Sequence, residues 1–123
     1  MRKEINKAAL APAQLTADSA SQTFCFAESF VGFAGHFPGY PILPAILQTL
    51  LAQILAEQLI GEPLQFVELK RAKFTRQLRP AEKINVNISC KEKEGQLLFS
   101  AQLGVEDESA ASFTLVLGRG AAL

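Results

Sequence analysis

The sequence predicts an α+β domain in which one central apolar helix is wrapped by a curved antiparallel β-sheet. Three observations carry this. Residues 42–60 form one long, nearly continuous apolar run, four strand-like runs follow it with no further helix, and a stiff Gly/Pro loop separates the run from an earlier strand. Both the helix and one face of the sheet need cover, and this order of elements lets each cover the other.

Residues 1–22 are rich in Ala, Ser and Gln with weak periodicity, and read as a short helix near 4–10 followed by an irregular segment. At 23–28, Thr-Phe-Cys-Phe-Ala-Glu alternates large and small side chains, which suits a strand with Phe24 and Phe26 on one face. Residues 30–44 contain Gly32, Gly35, Gly39, Pro38, Pro41 and Pro44. Each proline fixes its own φ and turns the preceding residue away from the helical region, so the segment is a rigid loop. Pro44 suits the first helical position, where no amide donor is needed, and Gly61 with Pro63 marks the helix end near Ile60.

Beyond the helix, residues 66–78 change phase near Lys70-Arg71: Val67 and Leu69 share one face, then Ala72, Phe74 and Leu78 the other. A bulge is expected there. Ile84, Val86, Ile88 and Cys90 alternate with Asn85, Asn87 and Ser89, the clearest half-buried strand in the chain. Glu94-Gly95 turns into a strand with Phe99, Ala101, Leu103 and Val105 on one face. The turn at 106–109 leads to a last strand aligning Phe113, Leu115 and Leu117.

The chain has 123 residues, 49% of them hydrophobic, with 12 basic against 12 acidic side chains. This composition argues for one ordered domain over 1–123 and against disorder. Zero formal charge argues against a general nucleic-acid binder and removes the self-repulsion that opposes association. The apolar stretch at 8–13 is short and broken by Pro12, unlike a signal peptide. The run at 42–60 carries Gln48, Thr49, Gln53, Glu57 and Gln58, which would be costly in lipid. A cytoplasmic protein without a membrane span is the expectation. Cys25 and Cys90 are far apart and read as small hydrophobes in preference to a disulfide, while one histidine and two cysteines are too few for a zinc site. Nothing suggests a metal or redox cofactor.

The most specific stretch is Gly35-His36-Phe37-Pro38-Gly39-Tyr40-Pro41-Ile42-Leu43-Pro44. A lone histidine is more often structural than catalytic. Here a proline-locked loop sets the imidazole before a helix N-terminus, whose amides can hydrogen-bond a carbonyl or oxyanion. The stretch resembles the β-hydroxyacyl-acyl carrier protein dehydratases, which have the hot-dog fold and the motif Gly-His-Phe-Pro-Gly-x-Pro-x-x-Pro-Gly; Ala45 stands where the last glycine falls. The run from Lys70 to Glu82 is also similar to the family's strand after the helix, which ends in a Pro-Gly-Asp turn where this chain has Pro80-Ala81-Glu82.

The resemblance implies that His36 is the base that removes the C2 proton of a 3-hydroxyacyl thioester. The Ala45 amide would polarise the thioester carbonyl, and Phe37, Gly39, Pro44, Ala45, Gln48, Thr49 and Leu50 would line the substrate. The alanine keeps the N–H and adds a methyl group. Six residues after the last motif proline the family carries a Glu or Asp, contributed across the dimer interface, that protonates the leaving hydroxyl. That position is Leu50, or Thr49 in a register shifted by one, and neither is a carboxylate. Loss of a general acid typically costs ~10²–10⁴ in rate. Gln48 and Gln53 can hydrogen-bond a hydroxyl, hold a water, or simply satisfy backbone groups; Glu57 lies about two turns beyond Leu50.

Lys70, Arg71, Lys73, Arg76 and Arg79 hold five of the 12 basic residues within ten positions. They read as a solvated strand face or, with the resemblance, as a docking surface for an acyl carrier protein or coenzyme A. No aromatic stripe accompanies them, which argues against nucleic acid. The resemblance further implies a homodimer with sites at its interface. Three functions stay open: a 3-hydroxyacyl thioester dehydratase of fatty acid or related acyl metabolism, an acyl thioesterase, and a non-catalytic acyl-thioester-binding subunit.

Overall fold

The computed structural model describes residues 1–33 and 41–119. A short helix α1 (Arg2–Lys7) leads into β1 (Gln14–Leu15) and β2 (Ser19–Cys25). The helix α2 (Ala45–Ile60) follows, then β3 (Gln65–Phe74), β4 (Lys83–Lys93), β5 (Gln96–Val105) and β6 (Glu108–Gly118). All strand pairs are antiparallel, in the order β1-β2-β4-β5-β6-β3, so the strand entering α2 and the strand leaving it stand on opposite sides of the sheet.

The alternation read from the sequence places the core. Ile84, Val86, Ile88, Phe99, Ala101, Leu103, Phe113, Leu115 and Leu117 all face inward and are buried. Against them lies α2, burying Leu51, Ala52, Ile54, Leu55 and Ala56. The helix ends where Gly61 takes the left-handed conformation (φ 86°) and donates its N–H to the Glu57 carbonyl at 2.8 Å. Pro44 is the N-cap itself, one residue before the helical position expected for it. Glu94 and Gly95 both have positive φ (53° and 80°), the pattern of a tight type I′ hairpin turn.

Two expectations are corrected. The segment 1–22 is not irregular beyond its helix: it holds β1 and the start of β2, and the strand expected at 23–28 runs instead over Ser19–Cys25. Its register with β4, Ser19 opposite Ser89 and Thr23 opposite Asn85, is a long-range pairing that local composition does not reveal. The chain after α1 also lies along β2, with Leu10 N–H bonded to the Thr23 carbonyl and Cys25 N–H to that of Ala8, both at 2.9 Å. Second, the strand-like run expected over 66–78 ends at Phe74, with Leu78 beyond it, and β3 is exposed along most of its length. Among the described residues it pairs only with β6, at the edge of the sheet, and it leaves Phe66, Val67 and Phe74 exposed at 57%, 45% and 41%. The bulge expected near Lys70-Arg71 is present: the register shifts between Lys70 and Lys73, and Arg71 takes φ 53°. Cys25 and Cys90 are free and half-buried, and desolvation pushes the Cys90 thiol above its ordinary pKa.

Candidate active site

The predicted base His36, with Phe37 and Gly39, lies outside the described residues. What the structure does describe is the frame at both ends of that loop. On the entering side, Phe26 and Phe30 pack at 4.4 Å between ring centroids, and Phe30 meets Phe33 edge-on at 5.5 Å. A one-turn 3-10 helix, Val31–Phe33, carries Gly32 so close to Phe30 and Leu47 that an added Cβ would overlap both side chains. The absence of a side chain at Gly32 lets this turn lie against the first turn of α2.

On the leaving side, the Leu43 amide donates to the Leu78 carbonyl at 2.8 Å, and Arg79 Nε reaches the Pro41 carbonyl at 3.5 Å. Residues 76–82 are themselves pinned. Arg76 grips Glu82 through Nη1–Oε1 (3.0 Å) and Nη2–Oε2 (2.6 Å), and its Nε donates to Glu108 at 2.9 Å. Glu82 Oε1 also accepts the Arg79 amide at 2.8 Å, and Ala81 N–H donates to the Phe26 carbonyl at 2.8 Å. Hydrogen bonding from Arg76 holds the Glu82 carboxyl below its ordinary pKa and raises that of the guanidinium.

Between these supports α2 begins without a side-chain cap. The Leu47 and Gln48 amides turn back to the Pro44 carbonyl at 3.0 and 3.1 Å, whereas those of Ala45 and Ile46 find no backbone acceptor among the described residues. Ala45 and Ile46 are exposed, so among the described residues two donors without a backbone acceptor stand at the positive end of a sixteen-residue helix. Such a terminus can polarise a carbonyl and hold an enolate oxygen.

The remaining predicted positions divide. Thr49 Oγ1 donates to the Ile46 carbonyl at 2.8 Å, and Leu50 packs half-buried against the core. Gln48 is buried, with Nε2 donating to the Leu43 carbonyl at 3.0 Å and Oε1 unpartnered. Gln53 and Glu57 face away to a supporting task. Gln53 Nε2 donates to the Leu64 carbonyl at 3.1 Å, while Glu57 accepts the Leu64 amide at 3.0 Å and pairs with Arg2. Glu57 therefore anchors the helix exit and α1. Sequence spacing missed both this clamp and Glu82, because their partners are set by tertiary contact.

The basic run splits in the same way. Lys70, Arg71 and Lys73 are exposed on β3, with Lys70 3.9 Å from Glu68, while Arg76 and Arg79 are half-buried in the frame just described. Two open grooves of about 500 and 340 Å³ lie on the outer sheet face around Ser21, Asn87 and Gln102, and neither is lined by a residue of α2. No helix among the described residues is long and apolar enough to cross a membrane.

The chain is similar to known dehydratases. The model of the ApeI-like dehydratases matches residues 13–114. A 3-hydroxyacyl-acyl-carrier-protein dehydratase FabZ of Syntrophobacter fumaroxidans is 31% identical over 99 residues, covering 73% of this chain and 67% of that protein. One of Ralstonia nicotianae is 35% identical over 97 residues, covering 70% and 58%. The chain thus spans about two thirds or less of the curated relatives it matches. Among solved structures, the dehydratase heterocomplex ApeI:P from Xenorhabdus doucetiae superposes with a TM-score of 0.75 at 25% identity, over 90% of this chain and 96% of that one. A hypothetical thioesterase solved with coenzyme A from Streptococcus pneumoniae gives 0.71 at 6% identity, over 94% and 90%, a likeness of fold alone. The curved six-stranded sheet around one main helix is the hot-dog fold.

Proposed function

Because this chain belongs to the ApeI-like dehydratase family, we propose that it acts on 3-hydroxyacyl thioesters of an acyl carrier protein or coenzyme A, eliminating water between C2 and C3. The observation that carries the reading is the start of α2, where the Ala45 and Ile46 amides, without a backbone acceptor among the described residues, come a few residues after His36-Phe37-Pro38-Gly39 in the chain. His36 takes the C2 proton, and the electron pair moves onto the thioester oxygen, where these donors hold it. The C3–O bond then breaks as the pair returns to form the C2–C3 double bond. Leu50 offers the departing hydroxide no proton, so the imidazolium just formed is the acid at hand, and the C2 proton leaves in the water.

The exposed Lys70, Arg71 and Lys73 suit an acidic carrier, and no cofactor enters the scheme. The exposed edge of β3, with Phe66, Val67 and Phe74, supports a homodimer in which two copies of β3 pair. A cytoplasmic role in fatty acid or related acyl metabolism fits this chemistry. A second reading, an acyl-thioester-binding subunit without its own turnover, is favoured by the apolar Leu50, and the solved ApeI:P relative is itself a heterocomplex. The thioesterase alternative is supported by fold likeness.

Purified protein given 3-hydroxyacyl and saturated acyl thioesters separates the readings. Enoyl product that falls at least about 100-fold in His36→Ala is expected. Dehydration that survives His36→Ala overturns the scheme, thiol release from the saturated substrate indicates hydrolysis, and binding without product indicates the non-catalytic subunit.

A further inference from the structure

We infer that Gln48 is the residue that recognises the 3-hydroxyl of the bound acyl chain, so that this chain prefers 3-hydroxyacyl thioesters to saturated ones; the inference rests on the reading just given.

Gln48 is the one buried polar residue of the described core, at 4% exposure. Its side chain turns back toward the start of α2, as helical side chains do, and Nε2 spends its hydrogen bond on the Leu43 carbonyl at 3.0 Å. That bond fixes which way the planar amide faces. Nε2 is the donor end, so Oε1 is presented as a pure acceptor with its orientation set. Among the described residues, Oε1 is the buried side-chain oxygen or nitrogen that has no hydrogen-bond partner. An acceptor shut from water and left unpaired is costly, and one retained in a core calls for a donor that arrives from outside.

The surroundings restrict that donor. Ala45 and Ile46, three and two residues before Gln48, offer amides without a backbone acceptor among the described residues, suited to a thioester carbonyl. Leu51 and Leu55, one and two turns beyond it, are fully buried and apolar. An acyl chain whose carbonyl meets the helix start and whose tail follows this apolar side brings its third carbon past Gln48. A hydroxyl there is drawn into an interior where it needs an acceptor, and Oε1 needs a donor. A cationic or carboxylate-bearing ligand is disfavoured by the neutral amide and its apolar neighbours. Oε1 cannot protonate a leaving group, so Gln48 sets specificity and does not replace the acid absent at Leu50.

The test uses two non-reacting probes, 3-hydroxyoctanoyl-pantetheine amide and octanoyl-pantetheine amide, titrated calorimetrically into the full chain. Wild type is expected to bind the hydroxylated probe about tenfold more tightly. Gln48→Met, which keeps the shape and removes the acceptor, is expected to bind both equally while holding octanoyl affinity within about twofold. Gln48→Glu retains an acceptor and is expected to restore part of the preference. Equal binding of both probes by wild type, or a preference that persists in Gln48→Met, overturns the inference alone and leaves the proposed function standing. Failure of wild type to bind either probe overturns both.

Discussion

Arg76 and Glu82 meet fork to fork, with Nη1–Oε1 at 3.0 Å and Nη2–Oε2 at 2.6 Å, and so close the connection between β3 and β4, where Arg79 reaches Pro41. Each is about one quarter exposed, which shields the pair more than an ordinary surface bridge. Because the folded state holds the Glu82 carboxyl below its ordinary pKa, chiefly through Arg76, the stabilisation is fully present above the unfolded carboxylate pKa. It is lost as pH falls through the lower, folded value. Glu82→Gln is expected to cost about 1 kcal/mol at neutral pH and to lose less stability on acidification than wild type. Urea midpoints measured from about pH 7 down to about pH 3 check this; parallel profiles for the two proteins would show that the pair contributes nothing to acid sensitivity.

Ala81 sits in the same turn with φ 70°, a left-handed conformation that penalises a Cβ. Its N–H is fixed on the Phe26 carbonyl at 2.8 Å, just past the end of β2, so the turn cannot relax without losing that hydrogen bond. Ala81→Gly relieves the strain at some entropic cost in the unfolded chain. The net expectation is a gain of about 0.5–1 kcal/mol, read as a melting temperature raised by a few degrees. A lowered melting temperature would mean that the Ala81 methyl group contributes packing.

The features legible in the sequence are those decided locally. Glu94-Gly95 names its own turn, the Ile84-Val86-Ile88 alternation names its inner face, and the phase slip at Lys70-Arg71 marks a bulge because one extra residue reverses every following side chain. The first half of β2 was hidden because Ser19 and Ser21 have little strand character until β4 pairs with them. The phases of Val67 and Phe74 are legible from their alternation, yet the sheet order puts β3 at an edge and leaves both exposed, which no local pattern encodes. At the candidate site, the Pro44–Ala45 helix start and the position of Leu50 are legible from spacing. The role of Glu57 is not, since its partners Arg2 and Leu64 are supplied by tertiary folding.

Leu50 supplies the next prediction. It is half-buried, six residues beyond the loop's last proline, and it can neither donate a proton nor order a water. If elimination here is limited by hydroxide departure, Leu50→Glu restores a proton donor and raises the rate of enoyl formation by about 100-fold, at the lower end of what a general acid contributes. The gain should vanish in the double variant with His36→Ala, because the new acid has no role without C2 deprotonation. A rate unchanged by Leu50→Glu in a folded protein would place the limiting step elsewhere and favour the binding-subunit reading.

The edge of β3 tests the assembly. Phe66 is 57% exposed on a strand whose outer hydrogen-bonding groups face no other strand of the described chain, and Val67 beside it is 45% exposed. An exposed edge with large apolar side chains is a template for pairing, and a two-fold axis would bring each Phe66 near the partner copy of the same strand. Replacing Phe66 by Glu puts a charge that must be desolvated into that apolar contact, while within one chain the side chain already faces solvent. Sedimentation is therefore expected to show wild type as a dimer and Phe66→Glu shifted toward monomer, with a dissociation constant weakened at least about tenfold and circular dichroism unchanged. A wild-type chain that sediments as a monomer, or a variant dimer as tight as wild type, would remove β3 from the interface and with it the proposal that two copies share a site.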